Sequence, residues 1–430
     1  MLRNGQILQG AALGLLAIGW VMVHSAGVSL HGSGADAGVG WMSSRHTLYA
    51  LLAALTLFAA SRIDVRALYR HHSWRNPLFW VVIASLVMVL LTMVPGLGVR
   101  VNGATRWLRL GTESVGVQFQ PSELVKWSLV GALAWWGARR ASVLPSLTQG
   151  LLPPLVLVGL CCGLIALQDL GSAALIGAVA LGVLLAAGAR VWHVGVFCGM
   201  GVAAVATLAV VTPYRFRRLT AFMDPWADSA GAGYHPIESM TAFAHGGPWG
   251  MGLGNSVRKY YLPEDTTDFL FPILTEELGL FGAAAVVVLL LVVLWAGWSI
   301  LRSSTDLFAR LFALGVLLTF GMQALMNLAV VTSLMPTKGI ALPLLSAGGT
   351  GWVMTAFALG LVAGLDRQTA VVAAEVREDW ADAECEIEAE KTTARRLPMR
   401  VRRTARDRAV IGGLIGSVIA ARVDAGEARG

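Results

Sequence analysis

Residues 270–298 have the sequence LFPILTEELGLFGAAAVVVLLLVVLWAGW, and no charged side chain follows Glu277 within this run. A helix of about 20 apolar residues is long enough to cross the hydrocarbon core of a bilayer. Nine further apolar runs share this character, at 7–29, 46–61, 78–95, 120–138, 148–167, 172–189, 192–211, 308–334 and 343–365. The pattern therefore predicts an all-α polytopic membrane protein with about ten transmembrane helices.

The composition of the chain agrees with this prediction. Of its 430 residues, 56% are apolar and only 14% are charged, whereas charged residues make up about 25% of an ordinary soluble domain. A globule in water cannot bury so large an apolar fraction, because its surface area grows too quickly with size. The composition therefore excludes an ordinary cytosolic enzyme, a disordered protein and a secreted disulfide scaffold.

Charge divides the chain into two parts. Residues 371–430 carry 11 basic and 11 acidic side chains, so the formal net charge of +7 belongs to residues 1–370. We predict a membrane domain over 1–370 and a flexible, charged cytoplasmic tail over 371–430. Within the tail, 375–390 is acidic, 395–408 is basic, and the apolar piece 409–421 is too short to span a bilayer.

Arginine in the short loops predicts the orientation. Cytoplasmic loops carry an excess of Lys and Arg, and loop 62–77 contains four arginines while loop 138–147 contains two. With ten spans, both termini are then cytoplasmic. Segments 96–119 and 212–269 fall on the outer face and are also rich in cations. This favours an anionic ligand on the outer face, and pairing with nearby carboxylates is the alternative.

The longest interval between the apolar runs, 212–269, is predicted to be a large extracytoplasmic loop. It is rich in Gly, Pro, Asp and Tyr, which favour turns. Loops of this length in compact proteins are usually functional or disordered, and the aromatic content argues against disorder. We expect an ordered loop with short helices along the membrane surface.

Ionisable side chains within or beside the apolar runs are the candidate functional residues, because charge at membrane depth is costly and usually marks function. In QPSELVKW, residues 120–127, Glu123 and Lys126 are three apart and share one helix face. They form either a local ion pair or the polar floor of a substrate cavity.

Three more positions have two interpretations each. Asp268 precedes an apolar run and is either a helix N-cap or a partly desolvated general base. Lys338 lies in MPTKGIALPLLSAGGTG, residues 335–351, and either snorkels or faces a water-filled cavity beside an interrupted helix. Asp169 either stabilises a tight turn or takes part in the function of the protein.

Other catalytic signatures are missing from the sequence. It contains neither a P-loop nor an HExxH zinc motif, and GMGLGN at 250–255 lacks the spacing of a dinucleotide-binding loop. Aromatic and basic residues are not arranged as a nucleic-acid groove, so no nucleic-acid partner is expected.

Seven short motifs are specific when taken together and in order. They are VNGATRWLRLG at 101–111, QPSELVK at 120–126, QDLGSA at 168–173, PYRFRRLTAFMDPWAD at 213–228, GMGLGNSVRKYYLPEDTTDFLF at 250–271, TEELGLFG at 275–282 and LMPTKGIALPLLSAGG at 334–349. In this order they resemble the SEDS family of polytopic peptidoglycan glycosyltransferases, which includes FtsW, RodA and SpoVE. The run at 250–271 is more similar to the division branch (FtsW) than to the elongation branch (RodA).

The resemblance implies an enzyme of the bacterial cytoplasmic (inner) membrane that polymerises lipid II into glycan strands at the outer face. The product would serve septal or lateral wall synthesis, and hence cell division or cell shape. Asp268 would be the catalytic general base, and Glu123 and Lys126 would bind substrate. The other substrate-binding candidates are cations that would contact the lipid diphosphate, namely Arg106, Lys338, Arg215 and Arg218.

The resemblance also implies partners. These are lipid II, a class B penicillin-binding protein with transpeptidase activity, and divisome or elongasome proteins. A divalent cation, Mg²⁺ or Mn²⁺, could accompany the diphosphate, although no ligand set in the sequence requires one. Two other functions are compatible with the architecture: a lipid II flippase or transporter, and a noncatalytic division scaffold. A transporter is expected to carry its charges near the midplane on related halves, whereas these charges cluster towards the outer face.

Overall fold

The computed structural model describes residues 2–27, 45–70, 76–101, 104–110, 117–262, 267–347 and 349–396. Its helices are α1 Asn4–Gly27, α2 Arg45–Ala60, α3 Pro77–Leu91, α4 Pro121–Arg139, α5 Leu152–Ala166, α6 Leu170–Ala186, α7 Val191–Val211, α8 Pro213–Met223, α9 Tyr234–Gly246, α10 Leu270–Ser303, α11 Leu307–Val331 and α12 Thr350–Arg396. The prediction of a helical, polytopic membrane protein is confirmed, since each predicted apolar run overlaps one of the long helices.

Five of these helices are long and apolar enough to cross a membrane. They are α1, α5 with the π-turn that precedes it, α7, α10 and α11. Three shorter helices, α2, α3 and α6, are also apolar. The exact number of ten spans stays a prediction.

The long helices begin where the local sequence satisfies their first N–H groups. Pro77 opens α3 while the Asn76 side chain accepts from the Leu78 N–H at 2.9 Å. Asp306 caps α11 in the same way, and Pro121 opens α4. Proline at this position has no N–H to leave unsatisfied. The core between the helices is apolar and includes the fully buried side chains of Trp352, Phe308 and Phe320.

Residues 1–368 and 369–430 form two separate compact units. In the second unit the described residues, 369–396, belong to α12. Residues 371–396 are helical, as a charged sequence rich in Ala and Glu favours. Flexibility of the tail stays a prediction. The rest of the basic block and the apolar piece 409–421 lie outside the described residues.

A small antiparallel sheet departs from the all-α prediction. Its strands are β1 Gly98–Val101, β2 Ala104–Leu110 and β3 Val117–Phe119, in the order β1-β2-β3. Leu108 of β2 pairs with Gly98 on one side and Phe119 on the other. Because side chains alternate along a strand, Arg106 and the buried Leu108 share one face. The sheet thereby carries Arg106 to one end of the helical unit.

The large loop is ordered in its described part, as expected. It contains α8, α9 and two 3₁₀ turns, Pro225–Asp228 and Arg258–Tyr260. The buried Ser239 of α9 donates to the Val331 carbonyl of α11 at 2.6 Å. Arg258 pairs with Glu238 at 2.8 Å. The first contact joins the loop to α11, and the second joins two parts of the loop to each other.

Helix α10 is interrupted at Gly279, where φ is 69°. The loop at 246–256 packs into this break: the Met251 and Gly252 amides donate to the Glu276 and Glu277 carbonyls, each at 2.9 Å. Irregular backbone at membrane depth is tolerated when protein groups satisfy it in this way. Of the loop and interrupted helix predicted at 335–351, the described residues show the loop, and the helix that follows it, α12, runs from Thr350 to Arg396 as one element.

Candidate functional site

Asp268 lies immediately before α10 and is only partly buried. The residue at the N-cap position of α10 is Phe269, and no side chain caps the helix there. The N-cap interpretation of Asp268 is therefore wrong. A Cβ atom on Gly339 would lie 3.0 Å from the Asp268 Oδ2 atom and 3.7 Å from the Arg106 Nη1 atom. A carboxylate and a guanidinium thus flank the same point of the Gly339 backbone.

Arg106 is held in place from strand β2 by the start of α6. Its Nε donates to the Gln168 carbonyl at 3.0 Å, and its Nη1 lies 3.5 Å from Asp169 Oδ2. About a third of the side chain, 34%, stays exposed. The guanidinium therefore has a fixed position and can still reach a ligand.

Asp169 has the turn role that was one of its two sequence interpretations, and its role in the function stays a prediction. It is the N-cap of α6, where its Oδ1 accepts from the Ser172 amide at 3.1 Å and its Oδ2 accepts from the Ser172 hydroxyl at 2.9 Å. The same carboxylate faces Arg106. The turn at 168–170 is therefore also part of the site.

Further cations converge on the segments beside Arg106 and Asp268. Arg218 donates to the Thr337 carbonyl at 3.3 Å, and Arg215 donates to the Ala166 carbonyl at 3.2 Å. Burial lowers the pKa of the Lys338 amine, and the negative charge of Asp169 partly opposes this shift. Arg217 instead forms an exposed pair with Asp228 at 3.0 Å. The structure thus groups Arg215, Arg218 and Lys338 around the site.

Glu123 and Lys126 form the local ion pair that was one of the two sequence interpretations. Lys126 Nζ lies 2.9 Å from Glu123 Oε1 and 2.7 Å from Oε2. The lysine side chain is only 5% exposed, and that of the glutamate is 17% exposed. Nζ also donates to Gln323 Oε1 at 2.8 Å. Direct contact of this pair with substrate stays a prediction.

Glu276 and Glu277 are buried below Asp268 and hold the loop rather than facing the site. The Glu276 carboxylate accepts from the Ser256 hydroxyl and the Arg258 amide. The Glu277 carboxylate accepts from Ser25 Oγ of α1 at 2.7 Å. These contacts satisfy one oxygen of each carboxylate, whereas, among the described residues, Glu276 Oε1 and Glu277 Oε1 are buried without a hydrogen-bond partner.

Two polar side chains of α11 belong to the site and were missed from the sequence. Gln323 Nε2 donates to the Ala341 carbonyl at 2.9 Å. Asn327 Nδ2 donates to the carbonyls of Asp268, at 2.9 Å, and Ile340, at 2.7 Å. The available signal was their spacing, since an amide pair four residues apart in an apolar helix shares one face.

A small opening, about 10 Å³ in volume, lies beside Arg106 and Asp169. Its polar lining comes from Thr92, Ser122 and Gln168. The exposed part of Arg106 is available to an anionic group here, and Asp268 lies beside the same glycine, Gly339. The arrangement can therefore accept a proton at Asp268 and stabilise negative charge at the cations. Over the described residues, no cluster of three or more His, Cys, Asp or Glu side chains could hold a metal ion.

Comparisons with known proteins show the family of the chain. The profile of the cell cycle protein family FtsW/RodA/SpoVE matches residues 6–371. A probable peptidoglycan glycosyltransferase FtsW of Nitrosococcus halophilus is 40% identical over 371 residues, which are 84% of this chain and 92% of the relative. The corresponding protein of Coxiella burnetii is 35% identical over 367 residues, 83% of this chain and 94% of the relative.

Two solved structures are similar to this chain over most of its length. One is a chain of a peptidoglycan synthase complex that coordinates polymerization and crosslinking, with a TM-score of 0.66 and 27% identity, covering 84% of this chain and 97% of its own. The other is the rod shape determining protein RodA of Thermus thermophilus, with a TM-score of 0.59 and 25% identity, covering 84% and 96%.

Proposed function

The chain belongs to the FtsW/RodA/SpoVE family of cell cycle proteins, and from that membership we propose that it is a peptidoglycan glycosyltransferase. It polymerises lipid II into glycan strands at the outer face of the bacterial cytoplasmic membrane. The relatives of 35–40% identity that are named FtsW favour a role in septal wall synthesis. The activity is compatible with the site because glycosyl transfer needs a base for a hydroxyl group and positive charge for a departing diphosphate.

The observation that carries the proposal is the placement of Asp268 and Arg106 beside the same glycine, Gly339. A base and a cation beside the same glycine can act on one transfer reaction. The base serves the attacking hydroxyl group, and the cation serves the departing diphosphate. Asp268 accepts the proton of the acceptor sugar's 4-hydroxyl as that oxygen forms a bond to the anomeric carbon of the growing chain. The bond between the anomeric carbon and the diphosphate oxygen breaks, and undecaprenyl diphosphate leaves.

The cations receive the leaving group in this mechanism. Arg106 is partly exposed and fixed by Gln168 and Asp169, so its guanidinium is already oriented when the diphosphate arrives. Such preorganised charge stabilises a developing anion without reorganisation during the reaction. Lys338, Arg215 and Arg218 add positive charge around the same segments. A divalent cation, Mg²⁺ or Mn²⁺, would be held mainly by the diphosphate oxygens.

The proposed partners follow from the same assignment. Glycan strands need crosslinking, and one structural neighbour belongs to a complex that coordinates the two activities. We therefore propose that a class B penicillin-binding protein accompanies this chain, together with other proteins of the division or elongation machinery. The outer face of the cytoplasmic membrane is where such a complex would meet lipid II.

The decisive experiment is a polymerisation assay with purified protein, its transpeptidase partner and lipid II. We expect D268N to lose activity by on the order of 10²–10⁴-fold, the usual contribution of a positioned general base. The control is D228N, because Asp228 is paired with the exposed Arg217 and is outside the site. Full polymerisation by a folded D268N protein would show that Asp268 is not the base.

A further inference from the structure

Helix α11 connects the ion pair of α4 to the backbone on which Asp268 and Gly339 lie. Gln323 and Asn327 are buried, with exposed fractions of 8% and 1%, and they are four residues apart on one face. Their side chains bind the consecutive carbonyls of Ala341 and Ile340. Two hydrogen bonds to neighbouring carbonyl groups therefore hold the loop at 338–341 on α11.

The Nδ2 group of Asn327 also binds a second segment of the chain. Both hydrogens of its Nδ2 are used, one on the Ile340 carbonyl and one on the Asp268 carbonyl. Because two carbonyl groups can only accept, they fix the orientation of the amide. The Asn327 side chain thus connects the Asp268 backbone to the loop that contains Gly339.

The ion pair fixes the orientation of the other amide. The Lys126 ammonium can only donate, so the oxygen of Gln323 faces it and the nitrogen faces Ala341. Glu123 in turn holds the ammonium at 2.7–2.9 Å. A continuous series of contacts therefore runs from Glu123 through Lys126 and Gln323 to the loop.

We propose that Asn327 and Gln323 are positioning residues that hold Asp268 and the loop at 338–341 in register with Arg106, and that the Glu123–Lys126 pair acts on the reaction through Gln323. This inference rests on the proposed glycosyltransferase function. It gives Lys126 a role without contact with substrate, in agreement with an exposed fraction of 5%.

The test separates positioning from binding and from folding. We expect N327A and Q323M to lower kcat for lipid II polymerisation by on the order of 10²-fold, since a displacement of about 1 Å can cost that much. KM should change far less than kcat. The matched control is T319V, because Thr319 lies one turn below Gln323, is fully buried and bonds only to its own helix at Gly315. T319V should retain the rate and melt at a temperature similar to that of the two variants.

Q323E tests the orientation of the amide. It keeps an acceptor for Lys126 but loses the donor for Ala341, so we expect it to be as slow as Q323M. If N327A fails to fold, Q323M, which preserves side-chain length, and Q323E decide the question. Wild-type kcat in folded Q323M and Q323E would overturn the proposal.

Combining N327A with D268N distinguishes a failure of this proposal from a failure of the proposed function. If Asn327 acts by placing Asp268, then D268N/N327A should polymerise no more slowly than D268N and bind lipid II with a similar Kd. Additive losses in the double variant would contradict positioning. Polymerisation by D268N alone would refute the assignment of the base, whereas an inactive D268N with fully active N327A and Q323M would refute only the positioning role.

Discussion

At Gly339 the absence of a side chain leaves room for two groups of opposite charge. An added Cβ atom would lie 3.0 Å from Asp268 Oδ2, closer than an ordinary van der Waals contact. Arg106 Nη1 lies 3.7 Å from the same point, so both charged groups approach the backbone of Gly339. A side chain can rotate to a new rotamer, whereas a backbone held on α11 by Asn327 and Gln323 cannot.

Lys338 is the group through which pH should affect the site. Burial lowers the pKa of its amine, so its positive charge is lost at a lower pH than for an ordinary lysine. If the ammonium helps to bind the diphosphate, kcat/KM falls on the alkaline side. We expect K338R to move this alkaline limb to higher pH, because a guanidinium stays protonated up to a pH of about 12. The measurement is kcat/KM for lipid II polymerisation against pH.

The control for this change is R217K, an exchange between the same two residue types at an exposed pair with Asp228. It should leave the alkaline limb where it is in the wild type. An alkaline limb that K338R does not move would show that another group titrates there.

Among the elements, α10 has the most unusual construction. Gly279 adopts a φ of 69°, and a Cβ atom there would clash with the Gly250 amide nitrogen. Left-handed backbone costs about 1–2 kcal/mol for a residue with a side chain, and the clash with backbone adds to this cost. We expect G279A to lower the free energy of unfolding by at least about 2 kcal/mol. Thermal unfolding in lipid nanodiscs measures the effect.

The matched control is G195A in α7, where a Cβ atom would meet nothing within 4 Å. Alanine favours a helix over glycine by about 1 kcal/mol, so G195A should be neutral or slightly stabilising. Equal melting temperatures for G279A and the wild type would show that the break in α10 does not depend on glycine.

The sequence was most informative about elements defined by hydropathy. Uninterrupted apolar runs predicted the long helices because a bilayer requires length and apolarity alone. The sheet at 98–119 was not predicted, since its pairing depends on contacts between segments rather than on composition. The break at Gly279 was also missed, because a glycine in an apolar helix is usually tolerated and only the packing of Gly250 against it requires the turn.

The candidate site was likewise predictable from the sequence only in part. Asp268, Lys338 and the Glu123–Lys126 pair were identified as charges beside apolar runs, and Arg106 was identified through the family resemblance. Their mutual placement was not predictable, because it depends on contacts such as Asn327 with Asp268, which are 59 residues apart. Nor could local sequence show that Arg106 would face Asp169. Polar residues within an apolar run indicate that a partner exists without indicating which one.

For the whole molecule, the site residues come from distant parts of the chain but all belong to the first compact unit. That unit ends at Gln368. Its last residues are bound within the unit, since Arg367 donates to the Arg62 carbonyl at 3.0 Å and Gln368 to the Ile63 carbonyl at 3.1 Å. Asp366 pairs with Arg3 at 3.3 Å. The first unit therefore contains both the site and the contacts that bind its own last residues.

The tail should consequently be dispensable for catalysis. We expect a chain ending at residue 370 to polymerise lipid II with a kcat similar to that of the full chain, because it keeps the contacts of Asp366, Arg367 and Gln368. A chain ending at residue 365 is the matched control. It should melt at a lower temperature, since it loses those three residues, although exposed ion pairs contribute only about 0–1 kcal/mol each. Loss of polymerisation in a stably folded chain ending at 370 would instead place a functional role in the charged tail.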